Sequence, residues 1–161
     1  MNPRPDFRFV TAHPAHFIAF GFGSGLAPVA PGTAGTLAAL LMYWVLKPGY
    51  GDLGFLLVIA LCFIAGIWAC GRTGRDLGIA DYGGMVWDEI VAFWLVLVLI
   101  PDELLWQGVA FALFRVFDIV KPPPIDYFDS TLKGGFGVMF DDIVAAFYTL
   151  LVIALWKFFV P

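Results

Sequence analysis

Five carboxylates and one lysine stand at the edges of apolar runs in this chain: Asp88 with Glu89, Asp118 followed three positions later by Lys121, and adjacent Asp141 and Asp142. Carboxylates gathered at one depth repel one another, and the sequence does not supply arginines in matching number. A hard divalent cation such as Mg²⁺ is the economical way to hold them, because it takes oxygen ligands and keeps several waters that a phosphate can replace. The candidate metal ligands are therefore Asp88, Glu89, Asp118, Asp141 and Asp142, and with Lys121 they are also the candidate catalytic groups. Taken singly, the acids favour a plainer reading, Asp88 and Asp141 as helix caps and the rest as wet interfacial residues. As a group they do not, because acids inside apolar segments are costly and usually functional.

The residues around them suit an anion. Lys121 and Asp118 project from one side of a helix end, so the lysine can meet a phosphate while the aspartate meets the metal; a snorkelling lysine that only sets topology is the competing reading. Arg115 lies one turn earlier and can partner a buried acid or the substrate. The Gly/Pro-rich loop at 21–35 offers unobstructed backbone donors, with the hydroxyls of Ser24, Thr33 and Thr36 near the start of the following helix.

The elements that must position these groups are apolar helices. Of 161 residues, 61% are hydrophobic and only 14% charged, with mean hydropathy +0.88, a balance that belongs in a bilayer rather than in water. Prolines and glycines at 26–35 break the entry into the first helix, which is expected to be interrupted or re-entrant. Helices are expected at 33–46, 53–70, 86–100, 104–120 and 143–160, the last opened by Asp141 and Asp142 and preceded by a loop at 121–142. Pro122 to Pro124 stop the fourth helix, since proline lacks the amide donor. The expected fold is all-α: a single domain over 1–161, forming a multi-pass membrane bundle of about five helices.

If the helix ends alternate sides, Arg4, Arg8, Arg72, Arg75, Arg115, Lys121 and Lys133 share one face and Lys47 and Lys157 the other, which puts the first face in the cytoplasm. The same alternation brings every candidate residue to that face. Above the acids the third, fourth and fifth helices become apolar, which favours a one-sided site over a transport pathway. The net charge of −4 offers no basic surface, so nucleic acid is excluded as a partner, while the lipid bilayer is the expected one; nothing in the residues fixes an oligomeric state. Residues 1–17 hold no apolar core of signal-peptide type.

Other phosphate chemistries fail on spacing. Cys70 and Arg75 in CGRTGR stand one residue too close for a thiolate phosphate loop, and both Cys62 and Cys70 read as packing residues. GFGSG at 21–25 lacks the third glycine and the βαβ context of a dinucleotide fingerprint. His13 and His16 read as surface histidines.

Four segments in order, GFGSGLAPVAPGTAGT at 21–36, DYGGMVWDE at 81–89, FRVFDIVKPPPI at 114–125 and GGFGVMFDD at 134–142, together resemble the phosphatidylglycerophosphatase A family. The resemblance covers nearly the whole chain, and the FDxxKPxP and GGxGxMxDD blocks are specific in combination. It implies Mg²⁺-dependent removal of the terminal phosphate of phosphatidylglycerophosphate, giving phosphatidylglycerol at the cytoplasmic face of the bacterial inner membrane. It also implies roles for the acids of the WDE, FDxxKP and DD motifs, here Asp88, Glu89, Asp118, Asp141 and Asp142, and for Lys121 as the phosphate-binding lysine. Asp81 falls on an acid usual in the second motif, where Tyr82 and Met85 depart from the common residues.

Overall fold

The computed structural model describes residues 5–159, and all regular structure among them is helical. Two short helices, α1 (Phe7–Thr11) and α2 (Pro14–Ala19), lead into a 3-10 turn at Gly21–Leu26. The longer helices follow: α3 (Pro31–Leu46), α4 (Asp52–Leu77), α5 (Trp87–Leu99) and α6 (Leu104–Val120), then short α7 (Ile125–Thr131) and long α8 (Gly134–Phe159). Arg4 and Val160, which the topology and the last helix invoked, lie outside the described residues.

The broken entry expected before α3 is present. Phe22 and Gly23 leave the helical region inside the 3-10 turn, and Ala30 adopts left-handed backbone immediately before Pro31. Proline at the first helical position costs nothing there, since that amide has no intrahelical partner. Helix α4 extends past Cys70 to Leu77, so the CGRTGR segment is helical, and Gly78 in left-handed conformation ends it.

The larger difference is α8. It begins at Gly134, so residues 134–142 form its first turns rather than the end of a loop, and Asp141 and Asp142 lie in the helix interior instead of opening it. The glycines of this stretch are contact residues. A Cβ on Gly135 would meet the Ile67 carbonyl oxygen and the Gly71 nitrogen, and one on Gly137 would meet the Leu132 carbonyl. Small residues let helix backbones approach closely, which is their use between membrane helices.

Helix α5 is the axis of the bundle. It packs against α3, α4, α6 and α8, and ten of its thirteen residues are buried. Indole and phenol donors tie the layers together: Trp94 donates to the Ala39 carbonyl at 2.9 Å, Trp87 to Cys62 at 3.0 Å and Tyr43 to Leu97 at 3.2 Å. The outer faces of the surrounding helices are oily, with Leu41, Trp44, Leu57, Leu61, Ile64, Phe147 and Leu151 all exposed. A water-facing surface rarely carries so continuous an apolar coat. Two helices, α4 and α8, are long and apolar enough to cross a bilayer.

The N-terminal segment clasps α4. The His16 imidazole meets the Asp76 carboxylate at 2.9 Å, Arg72 meets the same carboxylate at 2.7 Å, and Phe9 stacks on the imidazole with centroids 4.2 Å apart. His16 is therefore buried and paired rather than on the surface, and His13 caps α2 by accepting from the Ala15 amide. Cys70 is fully buried and Cys62 half-buried in the packing, as expected of both.

Candidate active site

Three helices deliver the carboxylates to one end of the bundle. Asp88 and Glu89 occupy the first turn of α5, where the exposed amides of a helix start favour negative charge. That start is pinned by the Val86 amide donating to the Ala19 carbonyl at 2.8 Å. Helix α6 carries Arg115 and Asp118 and ends at Lys121, whose left-handed backbone closes the helix through its amide and the Phe117 carbonyl. Pro122 follows at once and prevents continuation. On α8, Asp141 and Asp142 are consecutive and so point about 100° apart around the helix. One reaches towards α6 and the other towards α5.

The five acids divide by partner. Asp118 accepts from Arg115 Nη1 at 2.6 Å, and the same guanidinium nitrogen lies 3.6 Å from Glu89 and donates to Thr36 Oγ1 at 3.3 Å. Asp141 accepts from Lys121 Nζ at 2.6 Å. Asp88, Glu89 and Asp142 each bring one carboxylate oxygen to within 4.8 Å of the others. Asp142 also lies against Asp118, and Asp88 against Glu89.

These three acids fit a cation. Asp88 Oδ1, Glu89 Oε2 and Asp142 Oδ2 are buried and have no hydrogen-bond partner among the described residues. Buried polar oxygens left in that state are expensive, and a hard cation with oxygen ligands is the group that satisfies them. Formal charge agrees: five carboxylates face Arg115 and Lys121, leaving three negative charges uncompensated. The expected five-ligand cage thus resolves into a trio able to hold metal, with Asp118 and Asp141 engaged by the two cations beside it.

The candidate substrate-binding residues also separate. Arg115 braces the acids while its buried Nε keeps a donor without partner, a feature suited to an anion. Thr36 is buried, donates to the Gly32 carbonyl at 2.9 Å and accepts from Arg115, so it orients the arginine. Ser24 closes its own turn on the Gly21 carbonyl at 2.8 Å, and among the described residues no hydrogen bond joins Ser24 or Thr33 to the carboxylates. Sequence reading missed Gly32. A Cβ there would strike Glu89 Oε1 and stand 2.8 Å from Arg115 Nη2, so the bare backbone of α3 forms a wall of the site. A glycine between Pro31 and Thr33 at a helix start is the only signal it left.

Residues 17–157 match the phosphatidylglycerophosphatase A family. The chain belongs to that family. Among curated relatives, the Haemophilus influenzae phosphatidylglycerophosphatase A is 49% identical over 143 residues, spanning 88% of this chain and 87% of the relative. The Escherichia coli phosphatidylglycerophosphatase A is 41% identical over 139 residues, 86% of this chain and 80% of its own. A Bacteroides thetaiotaomicron protein assigned as a phosphatidylinositol-3-phosphatase is 41% identical over 144 residues, 85% and 89% of the two chains. No solved structure matches the chain.

Proposed function

We propose that this protein hydrolyses the terminal phosphomonoester of phosphatidylglycerophosphate to phosphatidylglycerol and phosphate, using Mg²⁺ held by Asp88, Glu89 and Asp142. The dephosphorylation follows from family membership. The metal assignment rests on two observations of the same three acids: one carboxylate oxygen from each lies within 4.8 Å of the others, and each keeps a buried oxygen without a hydrogen-bond partner among the described residues. When bound there, Mg²⁺ supplies concentrated positive charge that offsets charge on the phosphoryl oxygens during displacement.

The chain's own groups do the rest. Arg115 and Lys121, set in place by Asp118 and Asp141, offer donors to the non-bridging phosphate oxygens. Asp118 and Asp141 are the carboxylates positioned beside the trio to orient the attacking water and take its proton. Water oxygen bonds to phosphorus as the bond from phosphorus to the glycerol oxygen breaks in line, and the departing oxygen takes up a proton. The acyl chains remain among lipid at the oily outer faces of the bundle.

The chain spans the bacterial inner membrane in this reading, with the site at the cytoplasmic face. Two span-length helices, the exposed apolar coat and the clustering of Arg8, Arg72, Arg75, Arg115, Lys121 and Lys133 at the site end support that placement. Release of phosphate from phosphatidylglycerophosphate in detergent micelles, with Mg²⁺ and with chelator, tests the whole. Release that persists after chelation sinks the metal assignment, and no release under either condition sinks the substrate. The relative assigned to an inositol lipid favours phosphatidylinositol 3-phosphate as the second substrate to assay.

A further inference from the structure

A cavity of about 480 Å³ opens where the turn at 82–84 meets the segment that leads into α3, and the reaction proposed above does not account for it. Its walls are Gly25 and Pro31 on one side and Phe20, Tyr82, Gly83 and Gly84 on the other. Each wall is continuous along the chain with a segment that carries a residue of the site. Pro31 precedes Gly32, whose Cα faces Glu89 and Arg115, and Gly84 lies four residues before Asp88.

The cavity floor is a contact that only glycine permits. A Cβ on Gly25 would strike the Gly84 carbonyl oxygen, and one on Gly84 would stand 2.9 Å from the Gly25 carbonyl oxygen, the Phe20 ring and the Tyr82 ring. The turn is anchored by Met85 donating to the Tyr82 carbonyl at 2.7 Å and Val86 to Ala19 at 2.8 Å. This is a preformed wall rather than a slack loop.

Its polar groups are uncharged, the Gly25 and Gly84 carbonyl oxygens accepting and the groups of the facing turn donating. Gly83 and Gly84 present successive amides that donate to nothing among the described residues, although Gly84 is buried, and the Tyr82 hydroxyl likewise has no partner there. The described lining includes no charged side chain. Such a surface suits a small polyol and the oxygens of a phosphodiester, while the monoester with its extra charge belongs at Arg115, Lys121 and the carboxylate trio.

We propose that this cavity holds the glycerol that bridges the two phosphates of the lipid head group, with Tyr82 hydrogen-bonding to it. The inference rests on the proposed reaction and deepens it: the cavity measures the length and hydroxyls of the head group, so that the terminal phosphate alone reaches the acids.

Two variants test it from opposite walls. Tyr82→Phe removes the hydroxyl and Ala27→Leu fills the space from the other lining segment. Each is expected to raise KM for phosphatidylglycerophosphate about tenfold, with kcat within twofold, the signature of lost ground-state binding. Phosphatidic acid, which carries a monoester but no glycerol bridge, is measured as a competing ligand, and its inhibition constant is expected to move less than twofold. An unchanged KM in both variants, a loss confined to kcat, or an equal weakening of phosphatidic acid overturns the proposal. A native chain that releases no phosphate from phosphatidylglycerophosphate refutes the reaction itself, a separate outcome read before either variant is made.

Discussion

Gly32→Ala places a single methyl group against the two side chains that organise the site. The new Cβ would stand 2.8 Å from Arg115 Nη2 and closer still to Glu89 Oε1, whereas ordinary contact begins at 3.4 Å. Arg115 must therefore withdraw by 3.4 − 2.8 = 0.6 Å, and Glu89 by more. Both groups are the far ends of flexible side chains, so the fold can absorb the change. Alanine also lowers the entropy of the unfolded chain, worth about 0.4–1 kcal/mol in favour of folding. Net stability is expected to shift by less than about 1 kcal/mol. Catalysis is less forgiving, because misplacing reacting groups by about 1 Å costs on the order of a hundredfold. At 0.6 Å or more, kcat for phosphate release should fall between about tenfold and a hundredfold, a barrier increase of roughly 1.4–2.7 kcal/mol. Phosphate release in micelles, paired with thermal unfolding of the same preparations, reads both quantities. A variant that keeps native kcat at native stability refutes the claim that α3 backbone sets the position of Glu89 and Arg115.

Removing one carboxylate of the trio should abolish the response to metal as well as activity. Native protein is expected to gain about 2.7 kcal/mol of stability at Mg²⁺ a hundredfold above its dissociation constant. Asp142→Asn should show no such gain and at least about a hundredfold less phosphate release, and a full Mg²⁺ response in that variant would remove Asp142 from the metal site. Lys121→Met breaks the 2.6 Å pair with Asp141 and removes a phosphate donor, so KM should rise about tenfold or more; native KM and kcat together would mark the lysine as a topology signal. His16→Ala deletes the contact to Asp76 and the stack on Phe9, at an expected cost of about 1–2 kcal/mol. Faster hydrogen exchange across residues 7–19 with native kcat would locate that loss in the N-terminal clasp, whereas unchanged exchange would show that the clasp does not depend on it.

How much of this was legible in the sequence depends on what each signal encodes. Apolar runs bounded by proline or by charge predicted α5 and α6 to within a residue or two, because those boundaries are chemical: Pro101 and Pro122 cannot continue a helix. Helix α8 begins earlier than the expected start after Asp142, and glycine is what permits it. In GGFGVMF it serves close approach to α4 and to Leu132, and only the neighbouring backbone distinguishes that role from loop flexibility. The same ambiguity hid Gly32. The site acids were readable as a group, since intramembrane carboxylates are expensive, but not their division. Spacing along one helix pairs Asp118 with Lys121, whereas the fold pairs Asp118 with Arg115 and sends Lys121 across to Asp141. His16 followed the same logic: a polar residue in a proline-broken segment looks exposed until its partner, sixty residues away, closes over it.

The placement of two of the trio's acids at the start of α5 explains why the molecule tolerates so much buried charge. Helix α5 is the element most enclosed by the others, and its only acids occupy the first turn, where unpaired helix amides already offer positive potential. Sliding Asp88 and Glu89 one turn deeper would lose those amides and the reach of Arg115 from α6. Starting α8 at Asp141 instead of Gly134 would put its acids at another helix end, yet free of the packing on α4 that aims Asp142 at α5. The two glycine-dependent contacts, Gly32 against Glu89 and Gly135 against α4, therefore fix opposite sides of one site. A cation completing the trio would join α5 to α8, which predicts that metal binding and the packing of α8 are measured by the same unfolding transition.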